Sequence, residues 1–175
     1  MAETRSNTAA QVNVEVALRW RRIGEVSANF LPDTDAITDV WMPLRAPRGP
    51  GLYRFTMEFE HGRLIYIGES ESVQRRISVY KYTYKEWPQT TESFVTEQIR
   101  KALIRRAPIS VHAATRGKIK FDGEEEDLYM EVTSQRRFAE AAAVLLEERR
   151  VRDDGSVVVL NRILNSHRMV FLDSF

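Results

Sequence analysis

The sequence predicts an α+β domain in which a small, mainly antiparallel β-sheet is flanked by α-helices and preceded by an N-terminal extension. Three observations support this fold class. β-rich and helical runs alternate irregularly along the chain, two β-rich runs are separated by a short turn, and 175 residues with 43% hydrophobic side chains suffice for one core. We therefore predict an extension over residues 1–48 and a single domain over residues 49–175.

The extension contains one predicted strand. Residues 1–10 are typical of a disordered terminus. Between residues 12 and 20, apolar side chains occupy alternate positions, which is the period-two pattern of a strand, and we expect this strand to pack on the domain. The run from residue 43 to residue 51 is rich in Pro and Gly and predicts a linker into the domain.

The domain is predicted to begin with a hairpin that is followed by a helix. The runs LYRFTMEF (52–59) and RLIYIG (63–68) are β-rich, and the short connection EHG between them suits a hairpin. Ser70 or Ser72 is then placed to cap a helix, because apolar side chains follow at helical spacing up to residue 80.

The second half of the domain is predicted to contain two amphipathic helices and further strands. The helices are expected over residues 91–106 and 135–150. The remaining features are strands at ISVHAAT (109–115) and DLYMEV (127–132), an acidic loop over Asp122–Asp127, and a last apolar run VVVLNRILN (157–165).

The composition excludes several kinds of site. There is no cysteine, so neither a disulfide framework nor a thiolate metal site can form. No pair among His61, His112 and His167 has the spacing of metal ligands. No apolar run is long enough to cross a bilayer and the first ten residues lack a secretory signal, so we expect a cytoplasmic protein without membrane contact.

Positive charge is concentrated in one part of the chain. The net charge is +1, yet residues 71–120 contain eleven Lys and Arg against four acidic residues, together with three tyrosines and a tryptophan. Such a mixture suits phosphates and stacked bases. It also fits a solvated surface of mixed charge.

The segments Gly51-Leu52-Tyr53 and Tyr66-Ile67-Gly68 form two short signatures on the strands of the predicted hairpin. Arg76 follows the second signature by about two helical turns, and Tyr80 follows Arg76 by one. In this order the residues resemble the GIY-YIG nuclease family, in particular its excision-repair and small restriction-type branches. The resemblance covers residues 51–162 and leaves the first fifty residues unexplained.

The resemblance implies a Mg²⁺- or Mn²⁺-dependent endonuclease that hydrolyses phosphodiester bonds in DNA. Tyr53 would act as general base, which requires a nearby cation because a free phenol has a pKa of about 10. Arg76 would supply that cation or hold the phosphate, and Glu140, in the last predicted helix, would hold a single metal ion. Tyr66 would position water or phosphate, and Tyr80 shares the helical face of Arg76.

Several assignments keep alternatives. Glu147 lies seven residues after Glu140, on nearly the same helical face, and competes with it for the metal. Asn161 matches the asparagine of the family and either binds phosphate, braces the active-site loop or caps a chain reversal after the apolar run VVVL. Arg75 either contacts phosphate or is solvated, and Gly68 allows a close approach of backbone or substrate.

Two other functions remain open. The chain is compatible with a nucleic-acid-binding module of the same fold that has lost catalysis. It is also compatible with a protein-interaction domain, since its net charge is nearly neutral. For the nuclease the predicted partner is DNA, and the oligomeric state is open, with a homodimer as one alternative.

Overall fold

The computed structural model describes residues 13–82, 91–151 and 155–161. Within these ranges the chain forms nine strands and three helices, and none of these helices has the length and apolar character needed to cross a membrane. Several parts of the sequence analysis lie outside the described ranges: residues 1–10, residues 83–90 of the basic stretch, residues 162–165 of the last apolar run, and His167.

The strands and helices follow one another in the order β1 (Val14–Leu18), β2 (Arg21–Phe30), β3 (Ile37–Trp41), β4 (Gly51–Phe59), β5 (Gly62–Ser70), α1 (Val73–Tyr82), α2 (Thr91–Ile104), β6 (Ile109–Ala114), β7 (Gly117–Phe121), β8 (Glu124–Leu128), α3 (Thr133–Val151) and β9 (Val157–Val159). β4 and β5 form the expected hairpin. The predicted hairpin and the three predicted helices are confirmed.

The strands form two sheets. The larger sheet has six strands in the order β3-β2-β6-β4-β5-β9, and the smaller has three in the order β1-β7-β8. Every neighbouring pair is antiparallel except β5 and β9, which run parallel. The predicted α+β class with mainly antiparallel pairing is confirmed, although the strands outnumber those predicted.

The N-terminal extension contributes three strands where one was predicted. β1 is the expected strand, whereas β2 pairs with β6 inside the larger sheet and β3 pairs with β2. β2 lacks a clean period-two pattern because Gly24 has a φ of 149° and the register shifts between Arg22 and Gly24. A bulge moves the following side chains to the other face of the sheet, and this hides the strand from pattern-based prediction.

The acidic run Asp122–Asp127 is predicted as a loop, and this prediction is wrong. Asp122 and Gly123 have φ angles of 48° and 99°, the backbone shape of a tight two-residue turn between β7 and β8. The rest of the run forms β8. The strand predicted over residues 127–132 is also wrong, since β8 ends at Leu128.

Charge pairing explains how an acidic run forms a strand. Lys118 of β7 lies opposite Asp127, and Lys120 lies opposite Glu125. Lys120 Nζ also lies 3.7 Å from Oε1 of Glu15 on β1, the other neighbour of β7 in the sheet. Cross-strand pairs of opposite charge favour this register, whereas a strand of acids alone would be repelled by a like-charged neighbour.

Different helices cover the two faces of the larger sheet. Tyr53 and Phe55 of β4 face α1 and α2, where they join one core cluster. Leu52 of β4 packs with Ile65 and Ile67 of β5 and with α3 in a second cluster. The two clusters lie on opposite faces of the sheet because successive side chains along a strand point to opposite faces. The hairpin β4–β5 is therefore the element that both helical layers share.

Candidate active site

Three tyrosines, named here the tyrosine cluster, lie buried between the hairpin and α1. Tyr53 of β4, Tyr66 of β5 and Tyr80 of α1 have ring centroids 6.1 to 6.3 Å apart. The hydroxyls of Tyr53 and Tyr80 are 2.7 Å apart and share a hydrogen bond, and the ring of Tyr66 packs against both of theirs. Three of the five predicted catalytic residues are thus close together.

Gly68 makes room for the ring of Tyr53. The hairpin register sets Gly68 directly opposite Tyr53, and a Cβ atom at Gly68 would lie 2.5 Å from Tyr53 Cζ, well inside van der Waals contact. Gly51 is constrained in a similar way, because a Cβ atom there would lie 2.7 Å from the carbonyl oxygen of Ala114. The group that approaches Gly68 closely is therefore the phenol of the first signature.

Burial keeps the phenols of the tyrosine cluster in their neutral form. Tyr53 and Tyr80 are each 2% exposed, and Tyr66 is 6% exposed. Burial is the largest cause that raises the pKa of all three hydroxyls, and it raises the pKa of Tyr53 and Tyr80 well above the ordinary value. The Arg76 cation lowers the pKa of each phenol without offsetting burial. Removal of a proton from the cluster therefore needs additional positive charge.

Arg76 lies beside the tyrosine cluster on α1. It precedes Tyr80 by one helical turn, so the two side chains share a face of the helix. Its Nη1 donates a hydrogen bond to Oε1 of Glu92, which belongs to the first turn of α2. Arg75 is exposed and lies about 100° around the helix from Arg76, so it is separate from the cluster.

Hydrogen bonds at the start of α1 hold this helix against the sheet. Of the two candidate caps, Ser72 caps the helix, since its hydroxyl accepts a hydrogen bond from the amide of Arg75 at 3.4 Å. The amides of the first two helical residues donate to carbonyl oxygens of residues 47 and 49 at 2.8 and 3.2 Å. The predicted linker thus satisfies amides that a helix leaves unpaired, and it holds the start of α1 in place.

The two candidate metal ligands, Glu140 and Glu147, have different surroundings. Glu140 is partly buried, and burial together with the neighbouring Glu69 carboxylate raises its pKa to about 7. It interacts electrostatically with Arg76 and with Tyr66 of the tyrosine cluster. Glu147 is buried in an ion pair with Arg54, whose Nη1 lies 2.9 Å from Oε1. Of the two acids, Glu140 is the one that interacts electrostatically with other predicted catalytic residues.

Asn161 extends the pairing between β9 and β5. β9 pairs with Arg63–Ile65, and the Asn161 side chain makes the next contact along the strand. Its Oδ1 accepts a hydrogen bond from the Ile67 amide at 3.0 Å, and its Nδ2 donates to the Ile67 carbonyl at 2.6 Å. Both polar atoms of the side chain are bonded to the strand that carries Tyr66, which favours the bracing interpretation over phosphate binding.

Sequence reasoning missed a network of charged residues next to the second signature. Arg136 of α3 is 2% exposed and donates hydrogen bonds to the Glu69 carboxylate and, at 2.7 Å, to the Met130 carbonyl. These two partners offset the cost of burying the Arg136 guanidinium. The hydrogen bond from Arg136 in turn holds the Glu69 carboxylate in place. A signal exists in the sequence, because Arg136 shares a helical face with the buried residues Ala139 and Ala143, where an apolar side chain is expected.

The chemistry of Glu140 fits a divalent cation. Carboxylate oxygens are preferred ligands of Mg²⁺ and Mn²⁺, and a cation nearby would lower the raised pKa of this acid. Within the described ranges no group of three or more acidic or histidine side chains could hold a metal ion. A cation at Glu140 would take one protein carboxylate and complete its shell with water or phosphate oxygens.

Comparison with known proteins does not assign the chain to a family. No protein-family model, curated protein or solved structure matches it. The resemblance to GIY-YIG nucleases rests on the two signatures and on the residues that follow them in order. Membership of that family stays a prediction.

Proposed function

We propose that the protein is a divalent-metal-dependent endonuclease that hydrolyses phosphodiester bonds in DNA. One observation carries the proposal: Tyr53 and Tyr80 share a hydrogen bond, and the Arg76 cation interacts electrostatically with both phenols and with the Glu140 carboxylate, although these residues come from a strand and two helices. A domain that only needed a stable core would have no physical reason to gather a cation, an acid and three hydroxyls at one place.

Each of these groups has a task in phosphodiester hydrolysis. Arg76 neutralises negative charge on the phosphoryl oxygens, which its planar fork of donors matches in geometry. Glu140 would hold a divalent ion, which would supply further positive charge and activate a water. Burial raises the pKa of Tyr53, so Tyr53 would act as a base only with further positive charge nearby. Its hydroxyl lies 2.7 Å from that of Tyr80, a hydrogen bond along which the two phenols can exchange a proton.

A second candidate function is DNA binding without catalysis. It is favoured by the burial of Tyr53 and Tyr80, which are each 2% exposed and whose pKa lies well above the ordinary value. A phenol in that state neither attacks phosphorus nor accepts a proton at neutral pH. This alternative predicts binding to DNA that weakens steeply with salt and is not followed by hydrolysis.

Plasmid nicking separates the two functions. Supercoiled plasmid is incubated with the purified protein in Mg²⁺, in Mn²⁺ and in EDTA. Glu140→Gln and Arg76→Ala are expected to lower the nicking rate by at least about 100-fold, since each removes charge that stabilises the transition state. Two matched controls, Glu148→Gln on α3 and Arg100→Ala on α2, remove the same charges elsewhere on the same two helical layers and are expected to retain activity.

Three results would contradict the nuclease proposal. Nicking that is unchanged in Glu140→Gln and Arg76→Ala would point to a contaminating enzyme. Salt-sensitive binding of DNA by a wild-type protein that never nicks would favour the second candidate. Absence of both nicking and DNA binding at low salt would leave the protein-interaction domain as the remaining interpretation.

A further inference from the structure

The hydrogen bond between Arg76 and Glu92 joins two helices next to the tyrosine cluster. Arg76 lies in the middle of α1, and Glu92 lies in the first turn of α2. Arg76 Nη1 donates to Glu92 Oε1, and the Arg76 side chain is 38% exposed. The guanidinium therefore sits at the border between the buried phenols and solvent, where a substrate phosphate can reach it.

An arginine in this position needs a partner that fixes its direction. Its side chain has about 2 kcal/mol of rotamer entropy, and a partly exposed guanidinium gains hydration when it turns outward. The phenols of the tyrosine cluster are neutral, so they give Arg76 no ion pair that would hold it. Glu92 carries the opposite charge and approaches from the neighbouring helix. A guanidinium has five N–H donors, so a bond to Glu92 is compatible with phosphate binding by other donors of the same group.

We propose that Glu92 is a positioning residue for phosphodiester hydrolysis, which rests on the nuclease function proposed above. Its carboxylate holds the Arg76 guanidinium at the tyrosine cluster, in the orientation that receives the phosphate. The same negative charge repels the DNA backbone. Loss of Glu92 therefore has two opposite effects, a slower chemical step because Arg76 is misplaced and tighter binding of DNA because one repulsive charge is gone.

Steady-state nicking kinetics test the role of Glu92 through the separation of kcat from KM. Glu92→Ala is expected to lower kcat by about 10- to 100-fold, the effect of a catalytic group displaced by about 1 Å, while KM falls because one repulsive charge is gone. Glu92→Gln keeps an amide oxygen that accepts the bond from Arg76 Nη1. It is expected to recover part of the lost kcat while KM still falls, because the negative charge is absent.

Glu97→Gln is the matched control for the loss of charge. Glu97 also lies on α2 and pairs with Lys101 of the same helix at 3.3 Å, so its removal takes away an equal charge without a bond to Arg76. Thermal unfolding of each variant shows whether it is folded. If Glu92→Ala does not fold, Glu92→Gln decides the test by its kcat and KM relative to Glu97→Gln.

The outcomes for Glu92 and for the nuclease function are distinct. An active wild type in which the Glu92 variants match Glu97→Gln would overturn the positioning role alone. A rise of kcat in Glu92→Gln would also overturn it and would identify Glu92 as a competitor of the phosphate. A wild type without nicking activity would overturn the nuclease function together with this inference.

Discussion

Glu140→Gln should stabilise the metal-free protein at alkaline pH, although it removes the predicted metal ligand. Burial and the Glu69 carboxylate raise the pKa of Glu140 from 4.5 to about 7 in the folded chain. In the unfolded chain the carboxyl is solvated and ionises at its ordinary pKa. At a pH between these two pKa values, the unfolded state binds fewer protons than the folded state. The free energy of unfolding therefore falls as the pH rises from about 4.5 to about 7, and it stays low above pH 7. Glutamine has no charge to bury.

The size of this effect follows from the shift in pKa. One pKa unit corresponds to about 1.4 kcal/mol, so the full shift would correspond to about 3 kcal/mol. Glu140 is partly exposed, and solvent screening reduces the expected gain to roughly 1–2 kcal/mol above pH 7. For a chain of this length such a gain raises the Tm by about 2–8 °C.

Thermal and urea unfolding in EDTA at pH 5 and pH 8 measure this difference. Glu140→Gln is expected to exceed the wild type in stability at pH 8, with most of the gain lost at pH 5, and Glu148→Gln serves as the control on the same helix. Addition of Mg²⁺ at pH 8 is expected to stabilise the wild type more than Glu140→Gln, because binding to the folded state adds stability. A Glu140→Gln protein that is no more stable than the wild type at pH 8 would refute the burial of this carboxylate beside Glu69.

Three further substitutions test the geometry of the site. Gly68→Ala places a methyl group against the Tyr53 phenol. In urea unfolding it is expected to lower the free energy of unfolding by about 1–3 kcal/mol, and it is expected to abolish nicking. Gly49→Ala, where a Cβ meets no atom within 4 Å, is the control and should change neither the free energy of unfolding nor the nicking rate. Arg136→Met removes the buried partner of the Glu69 carboxylate and leaves it only the exposed Arg137, whose Nε lies 3.7 Å from Glu69 Oε1, so the change should cost about 3 kcal/mol or more in urea unfolding. The same change at Arg137, whose side chain is 71% exposed, removes the exposed partner of the same carboxylate and should cost less than about 0.5 kcal/mol. Equal losses would contradict the buried network. Asn161→Ala removes two hydrogen bonds to β5 and should lower the free energy of unfolding by about 1–3 kcal/mol. The salt dependence of DNA binding should stay the same, whereas a lower slope of log K against log salt would indicate that Asn161 contacts phosphate.

Local patterns in the sequence were sufficient to predict the hairpin and the three helices. Alternating apolar residues and a short turn predict β4 and β5, because strand and turn geometry depend on neighbours in the chain. Helical spacing likewise places Tyr80 one turn after Arg76. The same reasoning failed at β2, where the Gly24 bulge breaks the period, and at β8, whose acidic side chains are stabilised by lysines on β7 rather than by anything in their own segment.

Long-range contacts decided what the sequence left open. Glu140 and Glu147 are seven residues apart and share nearly the same helical phase, so spacing cannot separate them. Only the packing of α3 on the sheet lets the Glu140 carboxylate interact electrostatically with Arg76 and pairs Glu147 with Arg54. The sequence by itself determined which residue types are present and which of them share one face of a strand or helix, since these depend on covalent order and backbone periodicity. Tertiary structure alone decided which charges meet, because electrostatic and hydrogen-bond partners are set by distance in space.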